Sequence, residues 1–82
     1  MFESIFNEKA KRFFNKLDKP EKIQIGKKIE RLKENSQLGK PLTANLSGIW
    51  SLRCGKCRLL YQIRKNELII FVLDLDHRKN IY

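Results

Sequence analysis

The apolar residues of this 82-residue chain change period once, close to residue 48, and that change limits the fold more than any other feature. Before Asn35 they recur at helical spacing; from Ile49 onward they alternate, as in strands with one buried face. After a short apolar start (Phe2, Ile5, Phe6), Asn7 can cap a helix with Ala10, Phe13, Phe14 and Leu17 on one face. Lys19-Pro20-Glu21 restarts the chain, because proline suits a first helical turn and an acid there complements the helix dipole. The second helix carries Ile25, Ile29 and Leu32, with Ile23 flanking, and ends near Glu34-Asn35. Residues 36–48 read as a loop punctuated by Gly39, Pro41, Asn45 and Gly48. Ile49–Cys54, Cys57–Arg64 and Glu67–Leu75 read as antiparallel strands, joined by turns at Gly55-Lys56 and Lys65-Asn66. The expected fold is α+β, in the order β-α-α-β-β-β. A small antiparallel sheet carries a two-helix hairpin on one face, in a single domain over 1–82: strand and hairpin 1–35, loop 36–48, strands and tail 49–82.

Charge narrows the function. Eighteen Lys and Arg against nine Asp and Glu give +9, with a pI near 9.9, which fits a polyanionic partner (nucleic acid, ribosome or an acidic protein) or a solvated basic surface. Residues 1–40 hold nine Lys and two Arg, whereas 41–82 hold three Lys and four Arg. Arginine is the planar phosphate fork, so a phosphate site is expected in the second half and a solvated lysine face in the first. The longest apolar run, Leu68–Leu73, is far short of the ~20 residues of a membrane span. With no signal-like N-terminus and two cysteines, a reducing cytoplasm is expected.

The two turns set a register. Pairing Cys54 with Cys57, Arg53 with Arg58, Ile63 with Leu68 and Tyr61 with Ile70 separates two faces. One holds Trp50, Leu52, Cys54, Cys57, Leu59, Tyr61, Ile63, Leu68, Ile70 and Val72, and is the expected core. The other holds Ser51, Arg53, Arg58, Leu60, Gln62, Arg64, Ile69, Phe71, Leu73 and Leu75. Arg53 thus opposes Arg58, and like charges opposed across a ladder repel. Either the guanidiniums splay into water or reach Asp74 or Asp76, or they form a phosphate cradle. Leu60, Ile69, Phe71 and Leu73 beside them make an apolar patch of the kind a partner covers.

Leu46-Ser-Gly-Ile-Trp-Ser-Leu-Arg-Cys-Gly-Lys-Cys-Arg-Leu-Leu-Tyr-Gln-Ile resembles the L-x-G … R-x-G-x-Y-R-L-x-Y-x-I stretch of the RelE/ParE superfamily of toxins. Phe71-Val-Leu-Asp-Leu-Asp-His-Arg-Lys-Asn-Ile-Tyr82 resembles that superfamily's closing strand and H-R-x-x-I/V-Y tail. The element order agrees, so the resemblance covers nearly the whole chain. In its RelE branch it implies a toxin held off by a cognate RelB-like antitoxin in a heteromeric complex. That toxin cleaves mRNA in the ribosomal A site with no metal or cofactor. Residue by residue, the resemblance implies that Arg53 and Arg58 bind the scissile region and that Arg78 stabilises transition-state charge. It implies an acid/base or stacking role for Tyr82, and His77 falls where several relatives have a histidine. Arg64, Lys56 and Lys79 are expected on the RNA; Leu60, Ile69, Phe71 and Leu73 are expected on the antitoxin. The sequence departs from some relatives, which carry strand lysines where this chain has Ile49 and Ser51; this leaves the identity of the base open, with Lys56 and Lys79 as candidate substitutes.

The chemistry also follows from the residues. Cleavage through the 2′-OH of RNA needs a proton acceptor, a donor for the leaving 5′-oxygen, and cations around the phosphorane. Arginine supplies charge but no proton near neutrality, which leaves His77 and Tyr82 as the titratable candidates. Cys54-x-x-Cys57 lacks the second ligand pair of a zinc site and reads as two small core residues. The alternative function is a ParE-like or degenerate toxin that binds and inhibits DNA gyrase without cleaving RNA; the absent strand lysines favour it.

Overall fold

The structure, a computed structural model, describes residues 2–42 and 48–77. Asn7 caps α1 (Glu8–Lys16), its side-chain oxygen accepting the Ala10 N–H at 2.9 Å. Asp18 caps α2 (Lys19–Glu34) in the same way through Glu21, with Pro20 in the first turn. Both helices lie on one face of a five-stranded sheet ordered β1-β5-β4-β3-β2. The strands are β1 (Glu3–Phe6), β2 (Lys40–Pro41), β3 (Ile49–Cys54), β4 (Cys57–Arg64) and β5 (Ile69–His77). β1 runs parallel to β5, and the other neighbours are antiparallel. The two helices carry the chain from β1 at one edge to β2 at the other, and the antiparallel run β2-β3-β4-β5 then brings β5 beside β1 in the same direction. β2 lies inside the segment expected to be loop; at two residues, on the edge, it accommodates Pro41.

The core joins Ala10, Ile25, Ile29 and Leu32 of the helices to Leu52, Cys54, Cys57, Leu59, Tyr61, Ile70, Val72 and Leu75 of the sheet. Tyr61 is fully buried; its hydroxyl donates to the Ser36 carbonyl and accepts the Gly39 N–H, both at 3.0 Å. That bridge holds the α2–β2 connection against β4. A Cβ on Gly39 would stand 2.5 Å from the Ser51 carbonyl oxygen, so only glycine fits this approach. Trp50 stacks on Tyr61 at 6.3 Å.

Two expectations are corrected. The β4–β5 turn takes four residues, Lys65–Leu68, rather than two, so Ile63 pairs with Ile70 and Tyr61 with Val72. Leu68 sits in the left-handed region (φ 55°), 49% exposed, and is not a core residue. Further along, Tyr61–Val72 is followed by Leu60–Asp74, leaving Leu73 in a bulge. Asn7 pins it: its N–H donates to the Val72 carbonyl at 3.0 Å and its side-chain amide to the Leu73 carbonyl. Past the bulge the faces exchange. Leu75 turns into the core, 1% exposed, while Asp74 and Asp76 come to face Leu60 and Arg58.

Candidate functional site

Glycine at the head of the β3–β4 hairpin brings the expected arginines together. Gly55 adopts φ 61°, and a Cβ there would meet the Gln24 side chain of α2 at 2.6 Å, so the turn is both left-handed and closely backed. Two residues in, Arg53 and Arg58 are direct ladder partners, Arg53 exposed and Arg58 half-buried. Asp76 of β5 stands opposite Arg58 on the other side, an opposite-charge neighbour that offsets the repulsion between the guanidiniums. The row Arg53–Arg58–Asp76 therefore crosses three strands on the face away from the helices.

A groove of about 470 Å³ opens beside this row, lined by Lys28, Leu38, Gly39, Lys40, Ser51, Leu52, Arg53 and Arg58. Lys28 comes from α2, and Lys40, from β2, pairs with Ser51. Both lie in the half of the chain expected to supply only a solvated helix face, and neither was among the sequence candidates. Helical spacing gives no sign that Lys28 reaches the sheet edge. Lys40 needed the short β2 to be seen, for which Lys-Pro before an apolar residue was a weak signal.

The other candidates are placed apart. Lys56 lines a different cleft, of about 360 Å³, with Asp18 and Glu21. Arg64 lies over the Phe71 ring, 4.6 Å from its centroid, at the far end of the sheet from Arg53. His77 pairs with Cys57, so its side chain is on the helix side; its ring meets Phe13 edge-on at 5.4 Å. The structure thus does not bring His77 to the arginine face. Arg78, Lys79 and Tyr82 lie outside the described residues. Of the expected apolar patch, Leu60, Ile69 and Phe71 are half-buried on the arginine face, and Ile5 of β1, opposite Phe71 and 45% exposed, extends it. Leu73 is held in the bulge instead of in the patch ladder.

The cysteines face each other across the turn, both 1% exposed. Burial pushes the Cys54 thiol up to about 11, and burial, then Glu21 and Asp76, raises Cys57 as well. Protonated buried thiols are poor nucleophiles and poor ligands. Among the described residues no three His, Cys, Asp or Glu side chains cluster to hold a metal ion.

Comparison with known proteins agrees with this architecture. Residues 4–82 match the ParE toxin family of type II toxin–antitoxin systems, parDE. Toxin RelG of Mycobacterium tuberculosis is 42% identical over 50 residues, a segment covering 61% of this chain and 58% of that toxin. Among solved structures, a chain of the RelBE toxin–antitoxin complex of E. coli superposes with TM-score 0.80 at 22% identity, covering 94% of this chain and 96% of that one. A chain of a second RelBE complex, from Mycobacterium tuberculosis, superposes with TM-score 0.70 at 30% identity, covering 94% and 98%. Motifs, strand order and a match over nearly its full length together make this chain a member of the ParE toxin family of type II toxin–antitoxin systems, within the RelE/ParE superfamily.

Proposed function

We propose that this toxin is a RelE-like endoribonuclease that cleaves mRNA in the A site of the translating ribosome and is neutralised by a RelB-like antitoxin. The observation that carries this reading is the Arg53–Arg58 ladder pair, two planar cations held on a rigid hairpin at the mouth of a groove with two more cations. The 2′-oxygen attacks the adjacent phosphorus, the 5′-oxygen departs, and Arg53 and Arg58 hold the charge that builds on the non-bridging oxygens. Arg78 is assigned the same task and Tyr82 proton transfer or stacking, both from the resemblance. His77, facing Phe13, is assigned a supporting position instead of a place on the phosphate. The likeness to toxin RelG and to toxin chains of two RelBE complexes supports the branch and the kind of partner. An acidic, apolar antitoxin segment would satisfy the arginines and cover Leu60, Ile69 and Phe71 together.

A second reading has its own support. The matching family is that of ParE, and β3 carries Ile49 and Ser51 in place of lysines; a ParE-like toxin would bind and inhibit DNA gyrase. Primer extension on message from a translation extract separates the two. Discrete breaks within codons, lost in Arg53→Ala and Arg58→Ala, support the nuclease; intact message with inhibited gyrase supercoiling supports the alternative.

A further inference from the structure

β2 pairs with Trp50 and Ser51 and stops short of Arg53, and the chain before it leaves the sheet: the Gly39 N–H turns to the Tyr61 hydroxyl and the Leu38 N–H to the Asn35 carbonyl. The groove beside Arg53 is the space this departure creates. Lys40, opposite Ser51, shares a face with Arg53 and Arg58, because residues two apart on a strand point the same way. Adjacent same-face rungs, Lys40–Ser51 and Arg53–Arg58, are thus separated by about 7 Å along the strand. That spacing lets one extended polyanion place successive charges on both rungs, with Lys28 closing the groove from the helix side. An added peptide strand is disfavoured there, since Leu38 and Gly39 already line the edge where its backbone would pair.

We propose that Lys28 and Lys40 form a second phosphate subsite, which holds the phosphate of single-stranded RNA next to the one gripped by Arg53 and Arg58. This rests on the nuclease reading and deepens it: the substrate is bound by two successive phosphates before any base is read. Lys28 and Lys40 are positioning residues here. The test is fluorescence anisotropy with a labelled 2′-O-methyl RNA oligonucleotide, which lacks the attacking hydroxyl, titrated over a range of salt. Each lost phosphate contact on a single strand lowers the salt slope by roughly 0.7. The double variant Lys28→Ala/Lys40→Ala, which empties that one subsite, should therefore reduce the slope of log affinity against log salt by about 0.7. Lys40→Arg should retain the slope, and Lys16→Ala/Lys19→Ala, exposed lysines elsewhere, should leave affinity near wild type. Matching thermal melts confirm that each variant is folded. A wild-type slope in Lys28→Ala/Lys40→Ala, or an equal loss in the Lys16/Lys19 control, overturns the subsite. So does an acidic peptide that displaces the RNA and depends more strongly than RNA on the two lysines. Because this RNA cannot be cleaved, the outcomes separate: lysine-dependent binding by a protein that cuts no message keeps the subsite and sinks the nuclease.

Discussion

Asn7 is the residue through which the fold reaches the site, and Asn7→Ala should remove two things at once. Its side-chain oxygen caps α1 through the Ala10 N–H at 2.9 Å, and its amide donates to the Leu73 carbonyl in the bulge that carries Asp76 round to Arg58. Loss of an N-cap costs about 1 kcal/mol. A partly buried carbonyl left without its donor costs about 1 kcal/mol more, the low end of the range for buried groups. The sum, about 2 kcal/mol, corresponds to a fall in Tm of roughly 8–16 °C for a domain of this size. Asn7→Asp separates the two contributions. It keeps the capping oxygen and adds a charge suited to a helix N-terminus, but it cannot donate to Leu73. It should recover about half of the loss. Urea and thermal unfolding followed by circular dichroism measure both variants. If Asn7→Ala lies within about 0.5 kcal/mol of wild type, Asn7 does not pin the bulge, and the account of how Asp76 comes to face Arg58 is wrong.

Other outcomes follow from the same geometry. Leu75→Ala should destabilise by about 2–5 kcal/mol, as expected of a fully buried leucine, whereas Leu68→Asn should be neutral or slightly stabilising because Leu68 is exposed at φ 55°; chemical denaturation of the two variants checks the register. Cys54 holds its proton more tightly folded, at about 11, than unfolded, near 9.0, so the unfolded chain ionises first and stability falls as pH rises from 9 to 11. The loss should be about 2–3 kcal/mol, and Cys54→Ala should flatten that part of the curve in denaturation measured at each pH. Gly39→Ala should destabilise by at least about 1 kcal/mol and weaken RNA binding, since its Cβ meets the Ser51 carbonyl at the wall of the groove; melts and anisotropy read both effects.

The parts of this molecule legible in its sequence are those set by neighbours along the chain. Asn7 and the Pro20 turn announce the helices, and Gly55 fixes the one tight hairpin, so the Arg53–Arg58 pairing follows from local residues alone. The second turn misled because Leu68 is apolar yet occupies a left-handed turn position, which shifted the β4–β5 register by two. The bulge was invisible for a different reason: its pin, Asn7, is 66 positions from Leu73, and alternation alone assigned Leu75 to the wrong face. The same limit hid Lys28 and Lys40, which reach the groove only through the packing of α2 and β2 at the sheet edge. His77 looked catalytic by its place beside Arg78, but strand parity past the bulge turns it toward Phe13.

The most direct test of the nuclease reading is a reconstituted cleavage assay on ribosomes programmed with a short message bearing a single 2′-deoxy nucleotide at the scissile position in the A-site codon. The account predicts rapid cutting of the all-ribose message, with a 2′,3′-cyclic or 3′-phosphate upstream end, and no cutting at the deoxy position. Arg53→Ala and Arg58→Ala should each slow the ribose reaction by two or more orders of magnitude, the typical effect of losing one preorganised charge donor. Equal cleavage of the deoxy message, or none of either message by a toxin that still arrests growth, would contradict it.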